Sequence, residues 1–282
     1  MNLIDGKKIA EKIKENLRVE IELIQGRKPT LAVILIGDFA PSQTYVRAKK
    51  KACEKVGITS LVFELDRDIS ERDLLKKIDE LNRDVAVDGI LVQLPLPTHI
   101  DETKVISTID PKKDIDGFHP INVGKMLLGL DGGFIPCTPL GIKVLLEESK
   151  IQVEGKHVVI VGRSNIVGKP LAALLMQKKE GCNATVTILH SKSENLNAIT
   201  KTADILIAAI GKASFITADM VKNGACVIDV GINREKNSPL VGDVDFENVK
   251  KKAGYITPVP GGVGPMTIAM LLQNTLQSYR MR

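Results

Sequence analysis

Continuous apolar runs alternate with amphipathic segments along most of the chain, and this alternation restricts the folds that it can adopt. Residues 31–36 are entirely apolar and are followed by Gly37, which is typical of a strand buried on both faces of a sheet. Residues 41–56 then show helical periodicity, with a proline at the start and Gly57 directly after the end. Such a β-α-β alternation predicts parallel sheets covered by helices on both faces.

The alternation continues on both sides of residues 95–138, a stretch rich in proline, glycine and aspartate. We therefore expect an α/β protein of two lobes, a three-layer α/β lobe followed by a Rossmann-like lobe, with a ligand cleft between them. After the first strand, the predicted strands cover residues 58–65, 89–94, 157–161, 185–189, 205–209, 226–230 and 255–257. The predicted helices cover residues 41–56, 71–81, 123–128, 139–148 and 265–279, and one more begins after Asp5.

The composition argues against several classes of protein. The 282 residues include 44% hydrophobic and 26% charged ones, and 39 basic against 34 acidic side chains give a net charge of only +5. That diffuse charge and the 3% aromatic content do not fit a nucleic-acid partner. No apolar run approaches the ~20 residues of a membrane helix, and no secretory signal is evident at the N-terminus. We expect a cytoplasmic protein that binds neither nucleic acid nor membrane.

The cysteines give no sign of a metal site or of a disulfide framework. None of them forms a C-x-x-C pair, and no histidine stands near one at a metal-ligand spacing. We therefore predict reduced, mostly buried thiols and no bound metal. The cysteines are Cys53, Cys137, Cys182 and Cys226.

The segment VVIVGRSNIVGKP, residues 158–170, runs from a predicted strand through a turn into a helix. Gly162 and Gly168 stand where a dinucleotide fold needs close backbone approach, although Ser164 replaces the second glycine of G-x-G-x-x-G. Amides at the start of the helix can hold a pyrophosphate. An ordinary strand-to-helix turn remains the alternative interpretation.

The end of the next strand, ILHSKS, indicates which dinucleotide would bind. An NAD enzyme usually has an acidic residue there for the ribose 2′-hydroxyl, whereas this chain has Ser191 and Lys192, with Arg163 in the preceding turn. Because these side chains can donate hydrogen bonds to a 2′-phosphate, they favour NADP. His190 in the same segment is interpreted as a surface histidine rather than a cofactor contact.

The helix predicted at residues 41–56 carries a lysine on its apolar stripe. At about 100° per residue, Tyr45, Ala48 and Lys49 share one face, and Tyr45 precedes Lys49 by one turn. Such a lysine either extends its amine to solvent or serves as a proton carrier, and the periodicity does not decide between these.

Three further segments carry candidate polar or glycine residues. Gln93 is the one polar residue near the carboxyl end of the strand at 89–94, where ligands of α/β sheets bind. Asp114 and Asp116 precede Gly117, where turn chemistry is the favoured explanation when the segment is taken alone. A glycine-rich turn opens the last helix, where it would allow backbone to approach a flat ligand.

Six segments, taken together and in order, resemble the family of bifunctional methylenetetrahydrofolate dehydrogenases/methenyltetrahydrofolate cyclohydrolases. They are YVRAKKKA, VQLPLP, KDIDGFHP, PCTP, GRSNIVGKP and PVPGGVGPMT. Each motif is modest alone, but the set extends over nearly the whole chain and is specific. The sequence departs from the family at residues 39–41, Phe-Ala-Pro, which affects no catalytic position.

The resemblance implies roles for individual residues. Tyr45, Lys49, Gln93 and Asp116 match the catalytic group, with Gln93 and Tyr45 as hydrogen-bond partners of Lys49. Asp116, rather than Asp114, matches the aspartate that anchors the pterin. The implied substrate contacts are Tyr45, Lys49, Val92, Gln93, Leu94, Asp116, Pro260, Gly261, Gly262, Val263, Gly264, Pro265 and Ile268. The implied NADP contacts are Gly162, Arg163, Ser164, Ser191 and Ile232, and no metal is implied.

The resemblance also implies an activity. NADP-dependent oxidation of 5,10-methylenetetrahydrofolate would give the methenyl compound, and hydrolysis would then give 10-formyltetrahydrofolate, in one-carbon metabolism that feeds purine and amino-acid biosynthesis. Residues 1–137 would form the folate-binding catalytic domain, with the helix at 265–282 packed back on it, and residues 138–264 the NADP-binding domain. A cytoplasmic homodimer acting on folates, including polyglutamylated ones, is expected. A dehydrogenase-only relative and a non-catalytic NADP-binding regulator remain alternatives.

Overall fold

The computed structural model describes residues 1–233 and 240–281, which form two compact units. Met1–Glu11 and Thr138–Thr267 make up one of them, called here the six-stranded unit. Lys12–Cys137 and the residues from Ile268 onward make up the other, the three-stranded unit. Each unit contains one sheet, and every pair of neighbouring strands described in these sheets is parallel.

The elements alternate along the chain much as the sequence pattern predicts. The strands are β1 (Asn2–Leu3), β2 (Thr30–Ile36), β3 (Thr59–Leu65), β4 (Gly89–Val92), β5 (His157–Val161), β6 (Thr185–Leu189), β7 (Ile205–Ala208), β8 (Cys226–Asp229) and β9 (Tyr255–Ile256). The helices are α1 (Gly6–Glu22), α2 (Ala40–Val56), α3 (Glu71–Arg83), α4 (Glu102–Thr108), α5 (Pro120–Leu127), α6 (Cys137–Glu148), α7 (Gly168–Leu175), α8 (Leu196–Thr200), α9 (Phe246–Val249) and α10 (Val263–Arg280).

The three-stranded sheet has the order β3-β2-β4, with the apolar strand β2 at its centre and buried along its whole length. Helix α3 packs Leu74 and Ile78 into the core of this sheet, and its N-cap Ser70 accepts a hydrogen bond from the backbone N–H of Asp73 at 3.1 Å. Helix α2 ends at Gly57, whose φ of 83° is the left-handed conformation that favours glycine. These elements hold the start of α2 and the ends of the strands in a fixed relation.

The six-stranded sheet has the order β1-β9-β8-β7-β5-β6. After β6 the chain returns past β5 to form β7, so the strand order reverses between β5 and β7. In open α/β sheets, ligands bind beyond the carboxyl ends of the strands at such a reversal. The core beneath this edge contains Val159, Leu206 and Val227, one from each of three adjacent strands.

The last helix is tied to the three-stranded unit by hydrogen bonds from buried polar side chains. Asn274 donates from Nδ2 to the carbonyl of Ile115 at 2.8 Å. Ser278 donates from Oγ to the carbonyl oxygens of Asp88 at 2.6 Å and Lys112 at 2.8 Å. Within the described residues, no helix combines the length and the apolar character that crossing a bilayer requires.

The predicted two-lobe α/β fold is confirmed, with differences in detail. The short elements β1, α4, α8 and α9 are absent from the sequence prediction because they are too short to show a period. The predicted apolar face of α2 is wrong at one edge, since Ala48 is exposed and Tyr45 is 39% exposed. The unit boundary also differs from a division at residue 137, because β1 pairs with β9 and brings residues 1–11 into the six-stranded unit.

Asp88, at the start of β4, gives a test of what stabilises the three-stranded unit. Its carboxylate is fully buried, binds both Arg27 guanidinium nitrogens at 2.7 and 2.8 Å, and accepts the N–H of Thr30 at 2.8 Å. Replacing Asp88 by Asn should lower the free energy of unfolding by about 2–3 kcal/mol, because buried donors lose their acceptor. Urea unfolding followed by circular dichroism measures this.

The matched control is Asp79→Asn on the exposed surface of α3. Asp79 faces Arg83 at 3.6 Å, and both side chains are more than half exposed. Such surface pairs contribute little, so no measurable change is expected. Equal effects of the two substitutions would contradict the assignment of Asp88.

Candidate active site

A lysine amine is fixed at the carboxyl edge of the three-stranded sheet. Lys49, on α2, donates from Nζ to Oε1 of Gln93 at 3.0 Å. Gln93 directly follows β4; its Nε2 donates to the carbonyl of Leu94 at 2.8 Å and its backbone N–H to the carbonyl of Ile34 at 2.9 Å. These bonds orient the Gln93 amide so that its oxygen faces the amine.

Tyr45 lies one helical turn before Lys49 and is only partly covered. Burial of part of its ring raises the pKa of the Tyr45 hydroxyl. The described hydrogen bonds include the predicted Lys49–Gln93 pair, but none joins Lys49 to Tyr45. The expectation of a Tyr45–Lys49 bond is therefore wrong for this structure. Tyr45 instead has a partly exposed side chain, one helical turn before Lys49.

The two loop aspartates have different surroundings. Asp114 is buried and accepts hydrogen bonds from the N–H groups of Phe118 at 3.2 Å and His119 at 2.8 Å, and from Nδ2 of Asn122 at 2.8 Å. Burial raises the pKa of Asp114 to about 7, against these three donors, which lower it. Its carboxylate is therefore occupied in shaping the loop that follows β4.

Asp116, by contrast, accepts no hydrogen bond from the described protein residues. Burial raises the pKa of its carboxyl, and the nearby Lys49 ammonium opposes that rise. Val92, Leu94 and Phe118 line a narrow crevice together with Asp116. The three-stranded unit thus brings together an amine, an amide and a carboxylate that accepts no hydrogen bond from the described residues, beside apolar walls. This arrangement suits a flat ligand that carries N–H groups.

The turn after β5 is a tight backbone cradle. Gly162 has a φ of 136°, and a Cβ there would collide with the carbonyl oxygen of Ala209, at the end of β7. A Cβ on Gly168 would collide with the carbonyl oxygen of Gly162. Backbone segments therefore approach one another at the reversal point of the sheet more closely than any residue with a Cβ would allow. A dinucleotide-binding turn requires such close approach.

Ser164 stands at the second glycine position of the dinucleotide pattern and caps the start of α7. Its Oγ accepts the N–H of Val167 at 3.1 Å and that of Gly168 at 3.5 Å. Arg163, beside it, is exposed. The turn therefore offers the arginine to a ligand, while the serine hydroxyl serves the helix.

The loops after β6 and β8 lie at the same edge of the sheet. Ser191 and Ile232 are exposed there, Ile232 at 46%. The loop after β6 is shaped locally, since Oγ of Ser193 accepts the N–H of His190 at 2.9 Å and Nδ1 of His190 accepts the N–H of Lys192 at 3.2 Å. This local bonding supports the interpretation of His190 as a structural surface residue.

The glycine-rich turn before α10 belongs to the six-stranded unit, together with the start of that helix as far as Thr267. The helix from Ile268 onward belongs to the three-stranded unit. Gly261 has a φ of 110° and accepts the N–H of Lys7 at 2.8 Å. A Cβ on Gly6 would collide with Gly262, so the turn is packed tightly against the start of α1. The predicted substrate contacts of this turn are Pro260, Gly261, Gly262, Val263, Gly264 and Pro265.

The sequence reasoning missed the loop after β7 and the acid that holds it. Asp243 is buried and accepts the backbone N–H groups of Ile210, Gly211 and Lys212. The only available signal was the glycine at 211, whose φ of 74° marks a turn at the end of a strand. Almost every residue has a backbone N–H group, so the sequence does not indicate that Asp243 binds those of residues 210–212.

A parallel sheet with a glycine turn at its reversal point is the architecture of dinucleotide-dependent α/β enzymes. The particular family follows from two models that match this chain in succession. Residues 4–116 match the catalytic domain of tetrahydrofolate dehydrogenase/cyclohydrolase, and residues 136–282 match its NAD(P)-binding domain. The chain therefore belongs to the tetrahydrofolate dehydrogenase/cyclohydrolase family.

Relatives resemble this chain over its full length. A bifunctional protein FolD from Campylobacter hominis is 58% identical, covering 100% of this chain and 98% of its own. The crystal structure of the FolD enzyme from Campylobacter jejuni superposes with a TM-score of 0.97 at 52% identity, covering 100% and 99% of the two chains. The Trypanosoma brucei enzyme, solved with NADP and an inhibitor, has a TM-score of 0.93 at 39% identity and covers 99% and 97%.

These comparisons confirm the predicted family and enzyme class. The chain is a bifunctional tetrahydrofolate dehydrogenase/cyclohydrolase of one-carbon metabolism, both an oxidoreductase and a hydrolase. The NAD(P)-binding model confirms a nicotinamide dinucleotide cofactor. The alternatives of a dehydrogenase-only relative and a non-catalytic regulator are not favoured, because relatives described as bifunctional match the whole chain.

The two loop aspartates provide a test of the site's construction. Asp114→Asn should lower the free energy of unfolding by roughly 1–3 kcal/mol, because an amide cannot accept from all three donors that surround it. Asp116→Asn should leave the unfolding free energy unchanged or slightly raised, since it removes a partly buried charge that accepts no hydrogen bond from the described residues. Urea unfolding of both variants measures the contrast, and a larger loss for Asp116→Asn would contradict it.

Proposed function

We propose that the chain oxidises 5,10-methylenetetrahydrofolate with NADP+ and then hydrolyses 5,10-methenyltetrahydrofolate to 10-formyltetrahydrofolate, with Lys49 carrying protons at the reacting carbon. The observation that carries this proposal is the hydrogen bond from Lys49 Nζ to Gln93 Oε1 at 3.0 Å, near the carboxylate of Asp116, which accepts no hydrogen bond from the described residues. It fixes one amine at the carboxyl edge of a parallel sheet, where a substrate binds.

The substrate's own groups fit this arrangement. The pterin ring presents N–H donors, which Asp116 can accept with charge-assisted hydrogen bonds. Val92 and Leu94 supply apolar walls, and Tyr45 supplies a half-exposed aromatic face for stacking. Asp114 is already satisfied by three protein donors, so Asp116 is the carboxylate assigned to the pterin.

The two steps place different demands on these residues. NADP+, when bound, supplies the hydride acceptor, so in the first step the protein's part is to hold the bridging carbon in line with it. Loss of hydride leaves a methenyl cation. In the second step water attacks that carbon and Lys49 takes one of the water's two protons, which gives a neutral hydroxyl adduct. The bond from that carbon to N5 then breaks as N5 gains a proton, the hydroxyl loses its own proton to form the formyl group on N10, and one proton is released to solvent. Gln93 keeps the amine directed towards the carbon.

Backbone and side chains of the six-stranded unit would hold NADP. The glycines at 162 and 168 let the backbone pack closely before α7, whose first amides can hold a pyrophosphate. Arg163 and Ser191 are exposed and are the proposed donors for the 2′-phosphate. No acidic residue occurs in residues 190–193 to repel that phosphate. Ser164 and Ile232, at the same edge, complete the proposed contacts. These features support NADP over NAD.

The division of labour between domains is likewise proposed. The folate-binding catalytic domain is assigned to residues 1–137, of which residues 1–11 belong structurally to the six-stranded unit. The NADP-binding domain is assigned to residues 138–264, and the helix at 265–282 is assigned to the first domain. Family membership supports a cytoplasmic homodimer that acts in tetrahydrofolate interconversion for purine and amino-acid biosynthesis and accepts polyglutamylated folates. The turn at 260–265 and Ile268 complete the substrate contacts.

Lys49→Met tests the proton carrier. The cyclohydrolase rate should fall by about 10²–10⁴-fold, the usual contribution of a positioned acid–base group, because methionine cannot transfer a proton. The dehydrogenase rate should fall less, since hydride transfer needs alignment rather than proton transfer. Following NADPH formation and methenyl hydrolysis separately by absorbance gives both rates.

The matched control for this change is Lys50→Met, an exposed lysine next along the same helix. Its substitution should leave both rates at the wild-type level. If Lys49→Met retains a cyclohydrolase rate near that of wild type, Lys49 is not the proton carrier.

Ser191→Asp tests the cofactor preference. A carboxylate at this position should repel the 2′-phosphate and accept a ribose hydroxyl, so kcat/KM should fall at least about tenfold with NADP+ and rise with NAD+. Ser191→Asn, similar in size but uncharged, separates charge from bulk and should keep the NADP+ preference. Comparable turnover of the wild-type enzyme with both cofactors would contradict the proposal.

A further inference from the structure

Asp243, in the six-stranded unit, is a fully buried acid with four hydrogen-bond donors around its carboxylate. Oδ2 accepts the backbone N–H groups of Ile210 at 2.6 Å and Gly211 at 2.9 Å. Oδ1 accepts the backbone N–H of Lys212 at 2.9 Å and Nδ2 of Asn233 at 2.8 Å. Each oxygen therefore receives two donors, which is the full capacity of an ionised carboxylate.

The donors come from two loops at the edge of the sheet where NADP is proposed to bind. Ile210 to Lys212 follow β7, next to Ala209, whose carbonyl oxygen fixes the position of Gly162. Asn233 follows β8 and is the direct neighbour of Ile232. Asp243 thus connects the loop behind the glycine turn to the loop that carries Ile232.

The three successive amides of the β7 loop converge on one negatively charged group, which is the geometry of an anion-binding nest. In this structure the anion is the protein's own carboxylate. The amides of this loop are therefore not offered to the cofactor's phosphates, and the glycine turn after β5 is left as the backbone site for them. The contact serves to fix the shape of the loop.

A second buried acid anchors Asp243 itself. Asp229 lies at the end of β8. Its Oδ1 accepts the backbone N–H of Asp243 at 2.8 Å and that of Gly231 at 2.9 Å. A Cβ on Gly231 would collide with the Asp243 carboxylate. The segment from 229 to 233 is consequently packed directly against Asp243, with no room for adjustment.

We propose that Asp243 is a positioning residue for NADP, which it serves by holding the loops after β7 and β8 at the cofactor edge without touching the cofactor. This inference rests on the proposed NADP-dependent function. Asp243→Asn replaces one carboxylate oxygen by an NH₂ group. In either orientation of the new amide, its NH₂ group faces two N–H donors of the protein and cannot accept from them. One of the two loops must therefore move.

The experiment compares Asp243→Asn with the matched control Asp245→Asn. Asp245 lies two residues along, and among the described residues its carboxylate accepts hydrogen bonds from the backbone and side chain of Asn248 in α9. Both changes remove one negative charge. The measurements are the Kd of NADP+ by titration calorimetry, KM for NADP+ and for the folate, the cyclohydrolase rate, and the melting temperature without ligand.

We expect Asp243→Asn to raise Kd and KM for NADP+ at least about tenfold, which corresponds to about 1.4 kcal/mol. KM for the folate and the cyclohydrolase rate, which does not use NADP, should stay within about twofold of wild type. Asp245→Asn should leave NADP+ binding unchanged. An unchanged Kd for NADP+ in Asp243→Asn would overturn the inference.

If Asp243→Asn loses both activities together with its melting transition, a milder variant decides the question. Asn233→Ala removes only the bond between the β8 loop and Asp243, so it should stay folded and still weaken NADP+ binding about threefold or more. Unchanged NADP+ binding in folded Asn233→Ala would then reject the positioning role. Failure of the wild-type protein to bind NADP+ would instead reject the proposed function, which keeps the two failures distinct.

Discussion

Parallel strand pairing is the constraint on which both candidate sites depend. Because every neighbouring pair of strands described in the two sheets is parallel, the carboxyl ends of the strands in a sheet lie at one edge, and the loops that follow them converge there. Gln93 after β4 meets Lys49 from α2 in this way. Gly162 after β5 meets Ala209 after β7 for the same reason. Parallel strand pairing is therefore enough to bring residues that are distant in sequence close together.

Buried aspartates stabilise backbone at the ends of the strands, and their surroundings distinguish structural acids from a candidate ligand-binding one. Asp88, Asp114 and Asp243 each accept at least three hydrogen bonds from protein groups, most of them backbone N–H groups. A carboxylate so surrounded stabilises backbone that would otherwise have unpaired donors. Asp116 lacks such donors within the described residues, and burial raises the pKa of its carboxyl. A partly buried acid that accepts no hydrogen bond from the described residues has acceptor capacity to offer a ligand.

The long elements could be read from the sequence because their periods are strong. The strand bounds at 157–161 and 185–189 agree with the structure residue for residue. The short helix α4 was missed, since only Val105 of its residues is buried and a period cannot appear in so short a segment. The face of α2 was displaced, because periodicity defines a stripe but the sheet beneath decides which edge of it is covered. Ala48 therefore lies outside a stripe to which its spacing assigned it.

The candidate site divides in a similar way. Lys49, Gln93 and Asp116 could be proposed because their chemistry is visible in the side chain and the family motifs surround them. Asp243 could not, because its partners at 210–212 are backbone amides more than thirty residues away. A backbone donor has no residue type, so no motif records the pairing. What the sequence lacks is therefore the positioning network rather than the reacting groups.

The replacement of glycine by Ser164 in the cradle follows from the same use of backbone donors. Its hydroxyl accepts the N–H of Val167, an amide at the start of α7 that a phosphate could otherwise bind. Asp243 takes the three amides after β7 in the same manner. Since the protein satisfies these donors itself, fewer backbone amides remain for the cofactor at this edge. Under the proposed function, recognition then relies more on side chains, and the exposed Arg163 and Ser191 are the proposed donors for the 2′-phosphate. On this proposal, the charge beside the ribose contributes more to the choice of dinucleotide than the backbone contacts to the pyrophosphate do.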